Sequence, residues 1–128
     1  MTTEQDVLDA NTAFYRAFEK KDLEGMASIW SQGTSSTCIH PGREALQGWQ
    51  SIRLSWQTIF RNTAYLEIDA TVVSTEINGE VAYVILIEKV MQVAQRRRLE
   101  ARSIATNIFE KMGGQWHLVH HHGSPLAD

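Results

Sequence analysis

Cysteine occurs once in the chain, at Cys38, so no internal disulfide is available and nothing ties the fold to an oxidising compartment. Proline occurs only at Pro41 and Pro125, and there is no low-complexity segment, linker or repeat. Long apolar runs are missing. No window approaches the roughly 20 apolar residues of a membrane span, and the polar start MTTEQD has no apolar stretch after a basic cluster. Positive charge is not in excess either. Twelve basic against fifteen acidic residues give a net charge of −3, and the one basic run, Arg96-Arg97-Arg98, suits a solvated hairpin tip better than a nucleic-acid footprint. These absences exclude a disulfide scaffold, a membrane span and an electrostatic nucleic-acid binder. They point to a soluble cytoplasmic protein.

What is present is ordinary globular material, 43% apolar with charges of both signs, in a length that fits a single domain over residues 1–128. Thr2 and Gln5 have capping-box spacing, and Val7, Leu8, Ala10, Phe14, Ala17 and Phe18 follow at helical intervals up to Lys20-Lys21. Asp22 caps a short second helix carrying Leu23, Met26, Ala27 and Trp30, stopped by Gly33. Residues 34–40 read as a short strand closed by Pro41-Gly42, and a third helix is predicted from about Arg43 to Phe60. From there the period changes to two. Leu66, Ile68, Ala70 and Val72 alternate with polar positions, Asn78-Gly79 signals a hairpin, and strands are predicted over 81–95, 99–111 and 115–122. Pro125 is expected to keep the tail from Gly123 out of the sheet. Three helices followed by a meander of long strands imply an α+β fold, with the helices covering one face of a curved antiparallel sheet.

Several strings carry a resemblance: AFYRAFEKKDLEGMASIW, CIHPG, the GW-x2-I-x3-W helix, ATNIF and the closing GGQWHLVHHHGSP. In that order and spacing they resemble the nuclear transport factor 2-like superfamily, in its SnoaL-like and ketosteroid isomerase-related branch, over nearly the whole chain. The last strand is also similar to the association domain of calcium/calmodulin-dependent protein kinase II. The resemblance implies a cone-like fold around one pocket, working without cofactor or metal. In ketosteroid isomerases an aspartate before a proline, after the first strand, is the general base; the matching residue here is His40. The family's oxyanion-hole tyrosine falls on Phe14, with Tyr15 beside it, and its protonated aspartate on Asn107. Steroid isomerisation is therefore not expected, but a pocket in the same place is.

Strand alternation, taken in the register the resemblance implies, turns Tyr83, Ile85 and Ile87 inward, with Ser103, Ala105 and Asn107 on the next strand and Trp116, Leu118, His120 and His122 on the last. The expected ligand pocket is then Phe14, Trp30, Trp49, Trp56, Tyr83, Trp116, His120 and His122, although the four tryptophans also have the spacing of plain core. The catalytic candidates are His40, a base whose ordinary pKa lies near neutrality, and Asn107, an amide able to donate to a developing enolate oxygen. His40 also has a plain structural reading, a backbone hydrogen bond at a strand end, and Asn107 is as compatible with pairing the sheet edge or a neighbouring loop. His120 and His122 form an H-x-H pair of the kind zinc enzymes use with a third histidine, yet no carboxylate partner is apparent and no metal is expected. Cys38 reads as a small buried hydrophobe sharing a face with His40. Glu88 is expected on the outer sheet face, beside Val84, Leu86 and Val90, at the rim of a homodimer formed back to back through the sheets.

Two classes of function fit these residues. One is a cofactor-free isomerase or cyclase acting on a small, mostly apolar carbonyl compound. The other is a non-catalytic ligand-binding or assembly module.

Overall fold

A computed structural model describes residues 3–127. Helix α1 (Glu4–Glu19) starts at a capping box made by Thr3 and Asp6, each accepting the other's backbone N–H at 3.2 and 3.0 Å; Thr2, the expected cap, lies outside the described residues. Helix α2 (Leu23–Ile29) is capped by Asp22, which accepts from Gly25 N at 2.9 Å. Trp30 was expected on this helix but is extended, and it bridges to Leu118 instead.

Strands β1 (Thr37–Ile39) and β2 (Ala45–Gln47) form a small hairpin, so the third helix, α3 (Trp49–Asn62), starts later than its periodicity predicts. The reason is the turn between the strands. Pro41 fixes the second turn residue, Gly42 takes φ +74° at the third, and Arg43 N donates to His40 O at 2.9 Å, which sends the chain straight back along β1. Pairing then overrides the helical propensity of Ala45, Leu46 and Gln47.

Four long strands follow: β3 (Tyr65–Asn78), β4 (Val81–Ala94), β5 (Arg97–Met112) and β6 (Gln115–Pro125). The sheet order is β2-β1-β6-β5-β4-β3, curled and not closed. The four long strands are antiparallel, as the expected α+β fold requires, and the sheet becomes mixed only where β1 runs parallel to β6, with Cys38 opposite His121. Strand β6 also continues through Gly123 to Pro125, paired with Ala105 and Ser103. Pro125 is tolerated because it is the last strand residue, beyond the end of the β1 pairing. The turn at the arginine run is carried by Gln95 and Arg96, both at positive φ. Among the described residues no helix is long and apolar enough to cross a membrane.

The three helices pack on the concave face, with α1 against β3, β4 and β6. The core holds Val7, Phe14, Met26, Trp30, Ile52, Trp56, Leu86, Phe109 and Leu118, all 1% exposed or less. Burying each aliphatic member contributes about 1.5–3 kcal/mol.

Strand parity differs from expectation in two places. On β4 the inward residues are Ala82, Val84, Leu86 and Glu88, while Tyr83 lies on the convex face. The β4–β5 ladder requires this, because inward Asn107 pairs with Val84 and inward Ala105 with Leu86. On β6 a bulge at Val119 shifts the register between Phe109↔Leu118 and Ile108↔His120. A one-residue slip reverses every later side chain, so His121 points inward, while His120 and His122 take the opposite parity.

Candidate functional site

Asn11 and Tyr15 from α1 and Asn107 from β5 meet Glu88, turned in by the parity of β4, and His121, turned in by the slip on β6, so five polar side chains share the apolar interior. Tyr15 Oη donates to Glu88 Oε2 at 2.6 Å, and Asn107 Nδ2 donates to Asn11 Oδ1 at 2.9 Å and to Tyr15 Oη at 3.2 Å. The amide orientation follows from those two acceptors, which leaves Asn107 Oδ1 to accept from His121 Nδ1. His121 therefore carries its proton on Nδ1 and turns the Nε2 lone pair toward Glu88, 3.9 Å away. Burial dominates the electrostatics. It pushes the Glu88 carboxyl up to about 7, against the opposing bond from Tyr15, and pushes His121 down to about 3. Tyr15 is held well above the ordinary phenol value by burial and by the neighbouring carboxylate. The network is thus a set of neutral donors and acceptors around one titrating carboxyl.

His40 sits at the edge of this interior, where β1 ends, half-buried with its ring edge-on to Trp56 at 4.9 Å. Ser55 Oγ donates its own proton to Ile52 O at 2.7 Å, so it accepts from His40 Nε2 at 3.0 Å. That places the imidazole proton on Nε2 and the lone pair on Nδ1. Burial first, and then the Arg43 charge, lower His40 to about 4, so it is neutral at pH 7. Cys38 Sγ lies 3.7 Å from His40 Nε2, with its thiol pushed up by burial and by Glu88; it stays protonated and is no nucleophile. The outer side of His40 opens on a cleft of about 780 Å³ between α3, the β1–β2 turn and the ends of β4, lined also by Arg43, Leu46, Ser55, Ile59 and Gln92.

The predicted site residues therefore separate. His40 reaches a cleft, whereas Asn107 is fully buried with both ends of its amide engaged. Phe14, Trp30, Trp49, Trp56 and Trp116 are core, 9% exposed or less, and none lines the cleft. The indole N–H groups of Trp30, Trp56 and Trp116 find no protein acceptor. Tyr83, His120 and His122 have the outward parity, and His120 meets Thr37 of β1. Among the described residues no three metal-ligating side chains cluster. Sequence reasoning missed Ser55, Arg43 and His121, named Tyr15 only as the neighbour of Phe14, and assigned Glu88 to the wrong face. A carboxylate in the apolar run of β4 was the available signal; its inward direction was not.

Comparison with known proteins bears on this arrangement. The SnoaL-like domain model matches residues 7–128. An NTF2-like-family protein from Streptomyces avermitilis, provisionally named a dehydratase, superposes with a TM-score of 0.89 at 30% identity, over 97% of this chain and 96% of that one. A Thiobacillus denitrificans protein, provisionally named a calcium/calmodulin-dependent protein kinase type II association domain, gives 0.83 at 26% identity, over 92% and 93%. The F-box protein SKIP8 of Arabidopsis thaliana is 29% identical over 124 residues, 97% of this chain and 51% of that protein. The chain thus spans about half the length of that curated relative. With its family model covering nearly the whole sequence and its fold shared with the NTF2-like structures, this chain belongs to the SnoaL-like family.

Proposed function

We propose that the cleft beside His40 is a small-molecule site and that His40 acts there as general base in cofactor-free proton transfer on a small carbonyl compound. One observation carries the reading. A neutral imidazole, oriented by Ser55, borders a cleft in which Leu46, Leu54 and Ile59 stand among hydroxyl and amide side chains and the charged Arg43, a concave site able to hold a small polar molecule with an apolar part. His40 Nδ1 would take the proton from the carbon next to the carbonyl, leaving the C–H electron pair in an enolate. The protonated imidazole would return the proton to the same carbon or to its conjugated neighbour. Asn107, with both ends of its amide engaged, would position Tyr15 and His121 behind the cleft and donate to no ligand. The NTF2-like relative provisionally named a dehydratase is consistent with enolate-type chemistry on this fold. His40→Asn should keep the fold and remove deuterium incorporation into trial ketones in D2O, followed by NMR. Exchange unchanged in the variant would sink the assignment.

A second reading, assembly through the sheet, has its own observation. The convex face exposes Tyr83 and Ile104, with Ile85, Ile87 and Ile108 partly exposed between them, and a neighbouring fold is named as an association domain. A homodimer through this face would not use the residues first expected, because Val84, Leu86 and Glu88 are buried on the other side. Light scattering that returns a monomer at micromolar concentration would remove this reading.

A further inference from the structure

The charge pattern around the cleft identifies what kind of molecule it takes. Its walls carry one ionised side chain, Arg43, and no carboxylate, in a chain that has more acidic than basic residues. Among the described residues no carboxylate pairs with Arg43, whereas Arg16 pairs with Glu19 and Arg98 with Glu100 on other surfaces. The backbone of Arg43 is also held in place relative to His40, and its side chain is exposed beside the cleft. Both belong to one four-residue turn, closed by the 2.9 Å bond from Arg43 N to His40 O, with Gly42 at φ +74°. Around Gly42 there is open space, and its φ is what joins the two residues.

Resting on the reading of the cleft as a small-molecule site, we propose that Arg43 binds a carboxylate on the ligand, so that the substrate is a small apolar carboxylate whose reactive carbon lies beside His40. A guanidinium fork matches the two oxygens of a carboxylate. A phosphate dianion calls for a second positive charge, and the cleft lining supplies one arginine only. The pairing has a chemical consequence. Arg43 is the one lasting charge that lowers His40; Cys38 on β1 and His121 on β6, its other titratable neighbours, are both neutral at pH 7. A bound carboxylate offsets the arginine and makes His40 a stronger base only when substrate is present.

The test uses 2-naphthoate, its methyl ester and 2-naphthyl phosphate as probes of the isotopically labelled protein, with affinities from calorimetry and the His40 ring followed by NMR. The carboxylate should bind about tenfold more tightly than the ester, the preference should vanish in Arg43→Gln and partly return in Arg43→Lys. The His40 titration midpoint should rise in the naphthoate complex and in unliganded Arg43→Gln. Equal affinity for acid and ester, with His40 signals shifting in both, overturns the carboxylate inference while the cleft remains a site. Tighter binding of the phosphate ester overturns it in favour of that class. If no probe perturbs His40, the inference falls together with the cleft reading.

Discussion

Replacing Glu88 by glutamine isolates the energetic role of the one carboxyl in the core. Glu88 is 3% exposed, and burial moves its pKa from an ordinary 4.5 to about 7. Below pH 4.5 both folded and unfolded chains hold this proton. Between 4.5 and 7 the folded chain holds it and the unfolded chain does not, so this group's contribution to stability is lost as pH rises through 7. A displacement of that size corresponds to about 3 kcal/mol. His40 and His121 act with the opposite sign. Lowered to about 4 and about 3, they bind fewer protons folded than unfolded, so stability rises with pH up to the ordinary value of 6.5. The wild-type curve should climb from acid, peak near the ordinary histidine value and decline through neutrality. Glu88→Gln keeps an acceptor for Tyr15 but removes the titration. It should match wild type at pH 5 and exceed it by about 2–3 kcal/mol at pH 8, in urea unfolding followed by tryptophan fluorescence. Tyr15→Phe removes the bond that favours the charged carboxylate, so its deficit should be larger at pH 8 than at pH 5. A Glu88→Gln difference that does not vary with pH would refute the reasoning.

Other perturbations read out neighbouring parts of the molecule. Trp56→Ala should cost about 3–5 kcal/mol in chemical unfolding, since the ring is fully buried against Phe14, Phe18, Phe60 and His40. Trp49→Ala should cost less, its side chain sitting at the margin with 9% exposure. Gly123→Ala should destabilise by about 1–3 kcal/mol, because the new Cβ would meet Pro41 Cγ at 3.0 Å, and a thermal melt at wild-type temperature would contradict that packing. Gly42→Ala, at positive φ in open space, should cost only about 1 kcal/mol and keep the turn, so the His40 titration by NMR should stay as in wild type.

Sequence alone determined the elements whose signals are local. Apolar spacing placed α1, the alternation from Leu66 placed β3, and the Asp22 cap, Asn78-Gly79 and the Pro41-Gly42 turn marked their boundaries, because each depends on neighbours a few residues away. The position of His40 just after the first strand was legible for the same reason, since the Pro41-Gly42 turn that closes the strand is a local signal. Tertiary structure alone decided which residues share the interior. Residues 45–47 form a strand because β1 lies beside them, against their own helical propensity. The direction of Glu88 follows from the β4–β5 ladder, and that of His121 from one extra residue on β6; neither leaves a mark in strictly alternating sequence. With a side-chain period of two, a single bulge exchanges the faces of a strand, so the register of the whole sheet, and no local pattern, put His121 and Glu88 inside and left His120 and His122 out.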